Sequence, residues 1–301
     1  MITYLQAIIL GLIQGVTELF PISSLGHSVL IANLFNWNTI LADQSKSESF
    51  FLSFLVVLHV ATASALLIFY RKIWIRIISG FFRSLRARRI GDSDAKLAWL
   101  IIAATIPAGL TGLIFEHSLR TQFAKPLSAI IFIIINGCIL LVGDHYLNIH
   151  PKRKPVQATV GRPLTSTVQT TSDTITFGRA GIIGLAQTFA LFAGISRSGV
   201  TMVSGLYSGL DHEDAARFSF LLATPLILAA GMIKLPDFFS NLDTGVRGPI
   251  LAGGLVAGVA AYLTVRFLDK YFQNKTLRPF GIYCIGIGLF MLGLGLIRHH
   301  F

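Results

Sequence analysis

Charged residues and cysteines are both scarce in this chain of 301 residues. Charged residues make up 13% of the sequence, whereas hydrophobic residues make up 53%. A soluble domain of this size could not cover so much apolar surface, so the composition excludes one and predicts an integral membrane protein. The only two cysteines, Cys138 and Cys284, lie in apolar runs. We interpret them as small packing residues and not as a disulfide or a metal pair.

Acidic residues are also few, 14 against 25 lysines and arginines, which gives a formal net charge of +11. Such an excess is typical of nucleic-acid-binding proteins, but here the basic residues flank apolar runs without an associated soluble domain. We attribute them to membrane topology and to contact with anionic lipids, and we expect no nucleic-acid partner. A cleavable signal peptide is not expected either, because no basic cluster precedes the first apolar run.

Six apolar runs each approach the ~20 residues that cross a hydrocarbon layer of ~30 Å. They predict an all-α membrane protein with six transmembrane helices, at roughly 50–70, 97–115, 126–147, 217–235, 249–268 and 279–297.

A motif near the amino terminus occurs a second time, 173 positions later. Repeats in a chain this apolar are typical of membrane proteins built from two related halves with a polar site between them. We therefore predict one membrane domain over residues 1–301, with a first repeat at 1–147, a flexible cytoplasmic linker at 148–178 and a second repeat at 179–301. The residues with identical counterparts are Gly11, Leu12, Gln14, Ile22, Ser23 and Gly26.

Both copies of the motif interrupt an apolar helix with small and hydroxyl-bearing residues. Broken backbone at membrane depth is tolerated only where protein or a water-filled cavity satisfies it. Residues 2–36 and 180–210 are therefore predicted to form two re-entrant helical hairpins.

Basic residues concentrate in alternate loops, at 71–96, 152–179 and 266–278. Because basic loops remain in the cytoplasm, both termini are predicted to face outward. Three spans between the hairpins then make the two repeats inverted, with the first hairpin entering from outside.

Glu18 is an ionisable residue inside a predicted membrane segment, where a charge costs at least ~2.5 kcal/mol and usually marks function. Gln14 lies one helical turn before it and therefore on the same face. The polar turn that follows carries Ser23, Ser24 and His27. The alternative is that Glu18 only caps the hairpin through hydrogen bonds.

Arg197 occupies the position in the second copy that Ser24 occupies in the first. Ser196, Ser198 and Gly199 surround it at the start of a helical run, where unpaired N–H groups favour an anion. We interpret this segment as a phosphate cradle with Arg197 as a bidentate clamp. The alternative is a buried ion pair with Glu18 that only holds the two halves together.

Two histidines accompany these residues. His27 could act as nucleophile or in proton transfer, or could simply be a packing residue bonded to the backbone. His59, in the middle of the first predicted span, could line the same cavity or bond a neighbouring helix. Glu18 could also hold Mg²⁺ or Ca²⁺, with substrate phosphates and water completing the coordination shell.

Segments 14–27, 194–199 and 215–222 closely resemble signatures of the undecaprenyl-pyrophosphate phosphatase family of bacterial membranes. The resemblance implies metal-dependent hydrolysis of the lipid pyrophosphate carrier to its monophosphate, at a site open to the outer side of the cytoplasmic membrane, and bacitracin tolerance. It implies metal binding and acid/base chemistry for Glu18, nucleophilic or proton-transfer roles for Ser24 and His27, and pyrophosphate binding by Arg197. Further substrate contacts are expected from Gln14, Ser23, Ser196, Ser198, Gly199 and His59.

The chain departs from the family pattern at three positions. Gln14 stands where Glu is common, Ala193 replaces a usual Pro, and His59 stands where Gln is expected. These changes leave the preferred metal ion and the catalytic rate open. A polyprenyl-phosphate transporter or a non-catalytic lipid-binding member is the alternative function, because inverted repeats with broken helices are also transporter architecture. The sequence leaves the oligomeric state open, a homodimer being one of the states it allows.

Overall fold

The computed structural model describes residues 2–35, 37, 50–123, 125–149, 164–240 and 244–298. Within these ranges the chain forms α-helices, one short 3₁₀ helix at Phe189–Leu191, and no β-strand. The helices are α1 Tyr4–Thr17, α2 Ser24–Leu34, α3 Phe50–Phe69, α4 Arg71–Ala87, α5 Ser93–Phe123, α6 Pro126–Ile149, α7 Leu164–Thr174, α8 Phe177–Thr188, α9 Arg197–Tyr207, α10 His212–Ser240, α11 Thr244–Tyr271 and α12 Arg278–Arg298.

Within the described ranges, five helices are long and apolar enough to cross a membrane, and they coincide with five of the six predicted runs. The segments are Ser93–Phe115, Pro126–Tyr146, His212–Lys234, Val246–Tyr271 and Arg278–Ile297. The remaining run, 50–70, coincides with α3, which qualifies only together with α4 as a pair bent by 86°. The prediction of an all-helical, multi-pass membrane protein is confirmed.

Two pairs of short helices carry the repeated motif. α1 and α2 have 14 and 11 residues, and α8 and α9 have 12 and 11. The N-caps repeat as well: Thr3 and Thr176 cap the first helix of each pair, whereas Ser23 and Ser196 cap the second. A cap hydroxyl accepts a hydrogen bond from one of the otherwise unpaired N–H groups at a helix start. Equivalent residues therefore begin equivalent helices in the two copies.

The first short helix of each copy packs against a long helix that lies in the other half of the chain. α1 crosses α11 where Gly11 meets the backbone of Gly253, and a Cβ atom at Gly11 would collide with it. α8 crosses α5 where Gly184, the repeat counterpart of Gly11, meets the backbone of Ala104. Small residues let membrane helices approach this closely. The repeated glycine thus allows the first short helix of each copy to pack closely against a long helix of the other half.

Part of the stretch interpreted as a flexible linker is helical and packed. α7 lies against α5 and α10, with Thr167, Val168 and Thr171 buried. Its composition, rich in Thr and Ser, suggested a loop, but tertiary packing overrides weak helix propensity. Residues 150–163 of the same stretch lie outside the described residues.

Arg217, at the start of α10, is buried and joins three helices. Its Nε and Nη2 donate to the two carboxylate oxygens of Asp269 at 2.7 and 3.2 Å, and Nη1 donates to Thr167 Oγ1 at 2.9 Å. Nη1 also lies 2.7 Å from Oε1 of Glu213. Because every arm of the guanidinium has a partner, this cluster is a structural tie between α7, α10 and α11.

Candidate active site

The polar turns of the two copies touch each other. Ser23 Oγ accepts a hydrogen bond from the backbone N–H of Gly194 at 3.1 Å, and a second from Gly26 at 3.3 Å. Ser23 has a φ of 73°, in the left-handed region that residues with a Cβ rarely occupy. Gly194, with a φ of 113°, has no room for a Cβ atom beside α6. The Ser23 hydroxyl therefore joins the turns, and its predicted contact with substrate stays a prediction.

Asn136 on α6 is a second link between the turns, and the sequence analysis missed it. Its Nδ2 donates to the carbonyl of Pro21 at 2.9 Å, and its Oδ1 accepts from the backbone N–H of Ser196 at 2.9 Å. The side chain is fully buried. A carboxamide in the middle of the apolar run 126–147 was a signal that could have identified it, because buried polar groups require partners.

Glu18 is the centre of the site, and its carboxylate has partners from four directions. Nη2 of Arg197 donates to Oε1 at 2.8 Å. Oε2 accepts from Ser24 Oγ at 2.6 Å and from Gln14 Nε2 at 3.0 Å, and His59 Nε2 lies 3.3 Å away. The structure thus brings together five predicted site residues from α1, α2, α3 and α9. Glu18 is only 7% exposed.

His59 faces Oε2 of Glu18, the same oxygen that accepts from Ser24 and Gln14. Its Nδ1 lies 2.7 Å from the carbonyl oxygen of Leu55, while its Nε2 faces Glu18. Both ring nitrogens face acceptors, so both hydrogen bonds are made only when both nitrogens carry protons. When His59 carries both protons, its charge and that of the Arg197 guanidinium together exceed the single charge of Glu18.

Arg197 retains a donor that no described residue accepts. Nη1 is buried without a hydrogen-bond partner among the described residues, whereas Nη2 is bonded to Glu18. A buried guanidinium nitrogen left unpaired is costly unless a ligand completes it. Arg197 can therefore contact Glu18 and an added anion at the same time.

The predicted phosphate cradle is partly occupied by its own capping interactions. Ser196 Oγ accepts from the Gly199 backbone N–H at 3.1 Å and lies 3.0 Å from Ser198 Oγ. Ser198 Oγ also donates to the Phe20 carbonyl at 3.3 Å. The N–H of Gly199 thus belongs to the N-cap of α9, and the Arg197 side chain is the better-placed anion ligand.

His27 has two partners, the backbone of Ser23 and the hydroxyl of Tyr283. Its Nδ1 lies 2.7 Å from the carbonyl oxygen of Ser23, so Nδ1 carries the proton and Nε2 is an acceptor. Tyr283 Oη on α12 lies 3.0 Å from Nε2, and the two rings stack with centroids 5.7 Å apart. Tyr283 was missed because nothing in the sequence links it to a motif 256 residues earlier.

Comparison with known proteins identifies the family. Residues 7–290 match the model of the family described as bacitracin resistance protein BacA. This chain belongs to that family. It is 48% identical to Undecaprenyl-diphosphatase 2 of Frankia alni, covering 95% of this chain and 96% of that protein. It is also 48% identical to Undecaprenyl-diphosphatase of Mycolicibacterium paratuberculosis and 40% identical to Undecaprenyl-diphosphatase 2 of Chromobacterium violaceum, again over 95% of this chain. The resemblance inferred from the two motifs is confirmed.

A divalent cation, expected from the family, would find oxygen donors here but no complete shell. Among the described residues, no group of three or more His, Cys, Asp and Glu side chains could hold a metal ion. Gln14 Oε1, however, is buried without a hydrogen-bond partner in the described part of the chain, and its amide adjoins Glu18. Carboxylate and amide oxygens are ligands that Mg²⁺ and Ca²⁺ prefer. The residues present therefore fit a cation only if a ligand supplies further oxygens.

Proposed function

We propose that this protein hydrolyses undecaprenyl pyrophosphate to undecaprenyl phosphate and inorganic phosphate, and so recycles the lipid carrier for cell-wall synthesis. Its membership of the BacA family and the names of its relatives support the reaction. The observation that carries the proposal is the buried cluster of Glu18, Ser24 and Arg197, because it combines a carboxylate, a hydroxyl and an unpaired cationic donor. Transport of an anion would require only the last of these.

We assign anion binding to Arg197 and His59. The unpaired Nη1 of Arg197 would bind the terminal phosphoryl group, which carries the charge that two nearby cations complement. Nη2 would stay bonded to Glu18 Oε1. Oε2, which already accepts from Ser24, would then take the proton.

We assign nucleophilic attack to Ser24 and proton acceptance to Glu18. Ser24 Oγ already donates to Glu18 Oε2 at 2.6 Å, the arrangement of a hydroxyl nucleophile and its base. Its oxygen would attack the terminal phosphorus while its proton passes to Glu18 and undecaprenyl phosphate leaves. Water would then hydrolyse the phosphoserine and release inorganic phosphate. His27 would serve the second step as a proton acceptor: the Tyr283 hydroxyl would pass its proton to Nε2 and take one from the attacking water.

We propose that Glu18 and Gln14 hold Mg²⁺ or Ca²⁺ together with oxygens of the substrate. The unpaired Gln14 Oε1 supports this choice. The cation would neutralise negative charge on the phosphate oxygens. Chelator should abolish phosphate release, and added Mg²⁺ or Ca²⁺ should restore it. Full activity in excess chelator would contradict the assignment.

We propose six spans and two re-entrant hairpins related as inverted repeats, with the site open to the outer side of the bacterial cytoplasmic membrane. α1, the longest of the four motif helices, reaches about 21 Å at ~1.5 Å per residue, too short for a ~30 Å hydrocarbon layer. With the basic loops cytoplasmic, a cysteine replacing Arg88 should resist an impermeant thiol reagent in intact cells and one replacing Lys125 should react. Both variants need Cys138 replaced, because Cys138 is exposed. The reverse labelling pattern would invert the orientation.

The assay that tests the reaction is phosphate release by the purified protein from undecaprenyl pyrophosphate. We expect stoichiometric release of inorganic phosphate and undecaprenyl phosphate, and expression of the protein should raise bacitracin tolerance in cells. Binding of the lipid without release would instead favour a transporter or a non-catalytic member.

A further inference from the structure

Helix α4 (Arg71–Ala87) is nearly perpendicular to α3, the helix before it. It follows Tyr70 directly and is bent by 86° from α3. α3 is a helix of 20 residues, most of which are apolar. If α3 lies along the membrane normal, as a helix of this kind does, α4 runs along the membrane surface.

One face of α4 is packed against the protein. Ile73, Ile77, Gly80 and Ser84 are buried, and α4 lies on α5. Ser84 Oγ accepts from Trp99 Nε1 at 2.9 Å. This contact fixes how α4 is rotated about its own axis, and therefore what its other faces present.

A second face is apolar and exposed. Ile75 is 67% exposed, Ile78 49%, Phe82 62% and Leu85 48%. At ~100° per residue these four side chains form one strip, on the side of α4 away from its packed face. Exposed apolar side chains in such a strip require an apolar environment.

The third face is basic, and the charges on it are of two kinds. Arg76 pairs with Asp94 at 2.9 Å and Arg83 with Asp92 at 2.8 Å. The backbone N–H of Ala95 and the Arg83 guanidinium lower the pKa of Asp92, so that pair is ionised at neutral pH.

Lys72 and Arg86, by contrast, are exposed and have no carboxylate partner among the described residues. By the same helical spacing they lie between the apolar strip and the paired arginines. Their charges therefore sit where the apolar strip meets water.

We propose that α4 is an interfacial helix that binds the phosphate groups of anionic phospholipids through Lys72 and Arg86, with Ile75, Ile78, Phe82 and Leu85 among the acyl chains. Charge complementarity selects this occupant: an apolar strip bordered by unpaired cations matches acyl chains bordered by phosphates. A soluble protein partner would not explain why the apolar strip runs parallel to the membrane surface. The inference does not depend on the proposed hydrolysis.

The first test measures depth in the bilayer. The full chain with Cys138→Ala and one spin-labelled cysteine, at Phe82 or at Ser79, is placed in nanodiscs of phosphatidylcholine and phosphatidylglycerol. We expect the label at 82 to be accessible to oxygen, like a reference label placed at the exposed Ile114 of α5. We expect the label at 79 to be accessible to a water-soluble nickel complex. Equal nickel accessibility at 79 and 82 would overturn the proposal.

The second test measures lipid choice. We expect Lys72→Gln with Arg86→Gln to weaken binding of fluorescent phosphatidylglycerol to the purified protein by about fivefold for each charge removed, with phosphatidylcholine binding unchanged. The matched control, Lys270→Gln with Lys275→Gln, removes the same charge from another exposed segment. It should lose only the general attraction of a basic loop for anionic lipid, clearly less than the α4 variant loses. An unchanged affinity in the α4 variant, or an equal loss in the control, would show that α4 has no specific lipid site.

Discussion

Arg197 and Glu18 lie 179 residues apart in the sequence, yet Nη2 of Arg197 donates to Oε1 of Glu18 at 2.8 Å. This ion pair joins the two copies of the repeated motif at their polar turns. A buried ion pair contributes little net stability, because desolvation offsets the attraction between the charges. Its retention beside a hydroxyl and an unpaired donor is better explained by chemistry on an anion than by cohesion alone.

Replacing Glu18 with Gln should reduce phosphate release by about 100-fold or more, because it removes the proton acceptor of Ser24. The folded protein should still be extracted from membranes. Phosphate release and thermal melting should be measured together. Glu213→Gln is the control: Glu213 also pairs with a buried arginine, at 2.7 Å, so this variant should melt earlier with normal turnover per folded molecule. Near-normal turnover in Glu18→Gln would remove Glu18 from the mechanism.

Replacing Arg197 with Lys should reduce activity by about 10- to 100-fold, because Lys keeps the charge but loses the two-nitrogen fork. Binding of a labelled pyrophosphate lipid should weaken in parallel. Arg217→Lys, at the other buried arginine, should lower stability without this loss of binding. If Arg197→Lys binds the pyrophosphate lipid and releases phosphate as the unaltered protein does, the structural ion-pair interpretation becomes the better one.

Replacing Ser24 with Ala should abolish turnover while lipid binding persists, since only the nucleophile is lost. Ser28→Ala is a matched control one turn further along α2, where the hydroxyl is buried without a hydrogen-bond partner among the described residues. That variant should behave normally. Rapid quenching should trap phosphoserine in the unaltered protein, and substantial turnover in Ser24→Ala would return His27 to consideration as nucleophile.

Replacing Tyr283 with Phe should lower kcat by about two- to tenfold with little change in KM, because it removes one hydrogen bond to His27 Nε2 and keeps the stacked ring. His27→Ala should lose more turnover and still bind the lipid. Tyr262→Phe, whose ring packs against Phe69 on α3, is the control and should be unaffected. A rise in KM alone for Tyr283→Phe would place Tyr283 in substrate binding.

Replacing His59 with Gln should lower phosphate release by roughly tenfold, because an amide N–H can still donate to Glu18 Oε2 but the positive charge that faces the anion is lost. Replacing it with Leu should cost more, because Oε2 then keeps only the donors of Ser24 and Gln14. Both variants should be compared at several pH values. Near-normal activity of the Gln variant would show that the hydrogen bond, and not the imidazolium charge, is what the site requires.

The sequence alone determined the class of this protein and most of its site. Composition and apolar runs are properties of the chain itself, so the membrane fold and five of its long helices followed from them. The repeat identified both polar turns and Arg197, and the cost of a charge in lipid singled out Glu18. Local spacing also placed Gln14 and Ser24 near Glu18, because these residues are close along the chain.

Only the tertiary structure decided which distant groups meet. Asn136 and Tyr283 reach the site from α6 and α12, and the partner of His27 depends on how those helices pack. Likewise, the helix at 164–174 owes its stability to burial against α5 and α10 rather than to its own composition. Such contacts depend on close approach between helices that are remote in sequence, and local residue patterns carry no information about that distance.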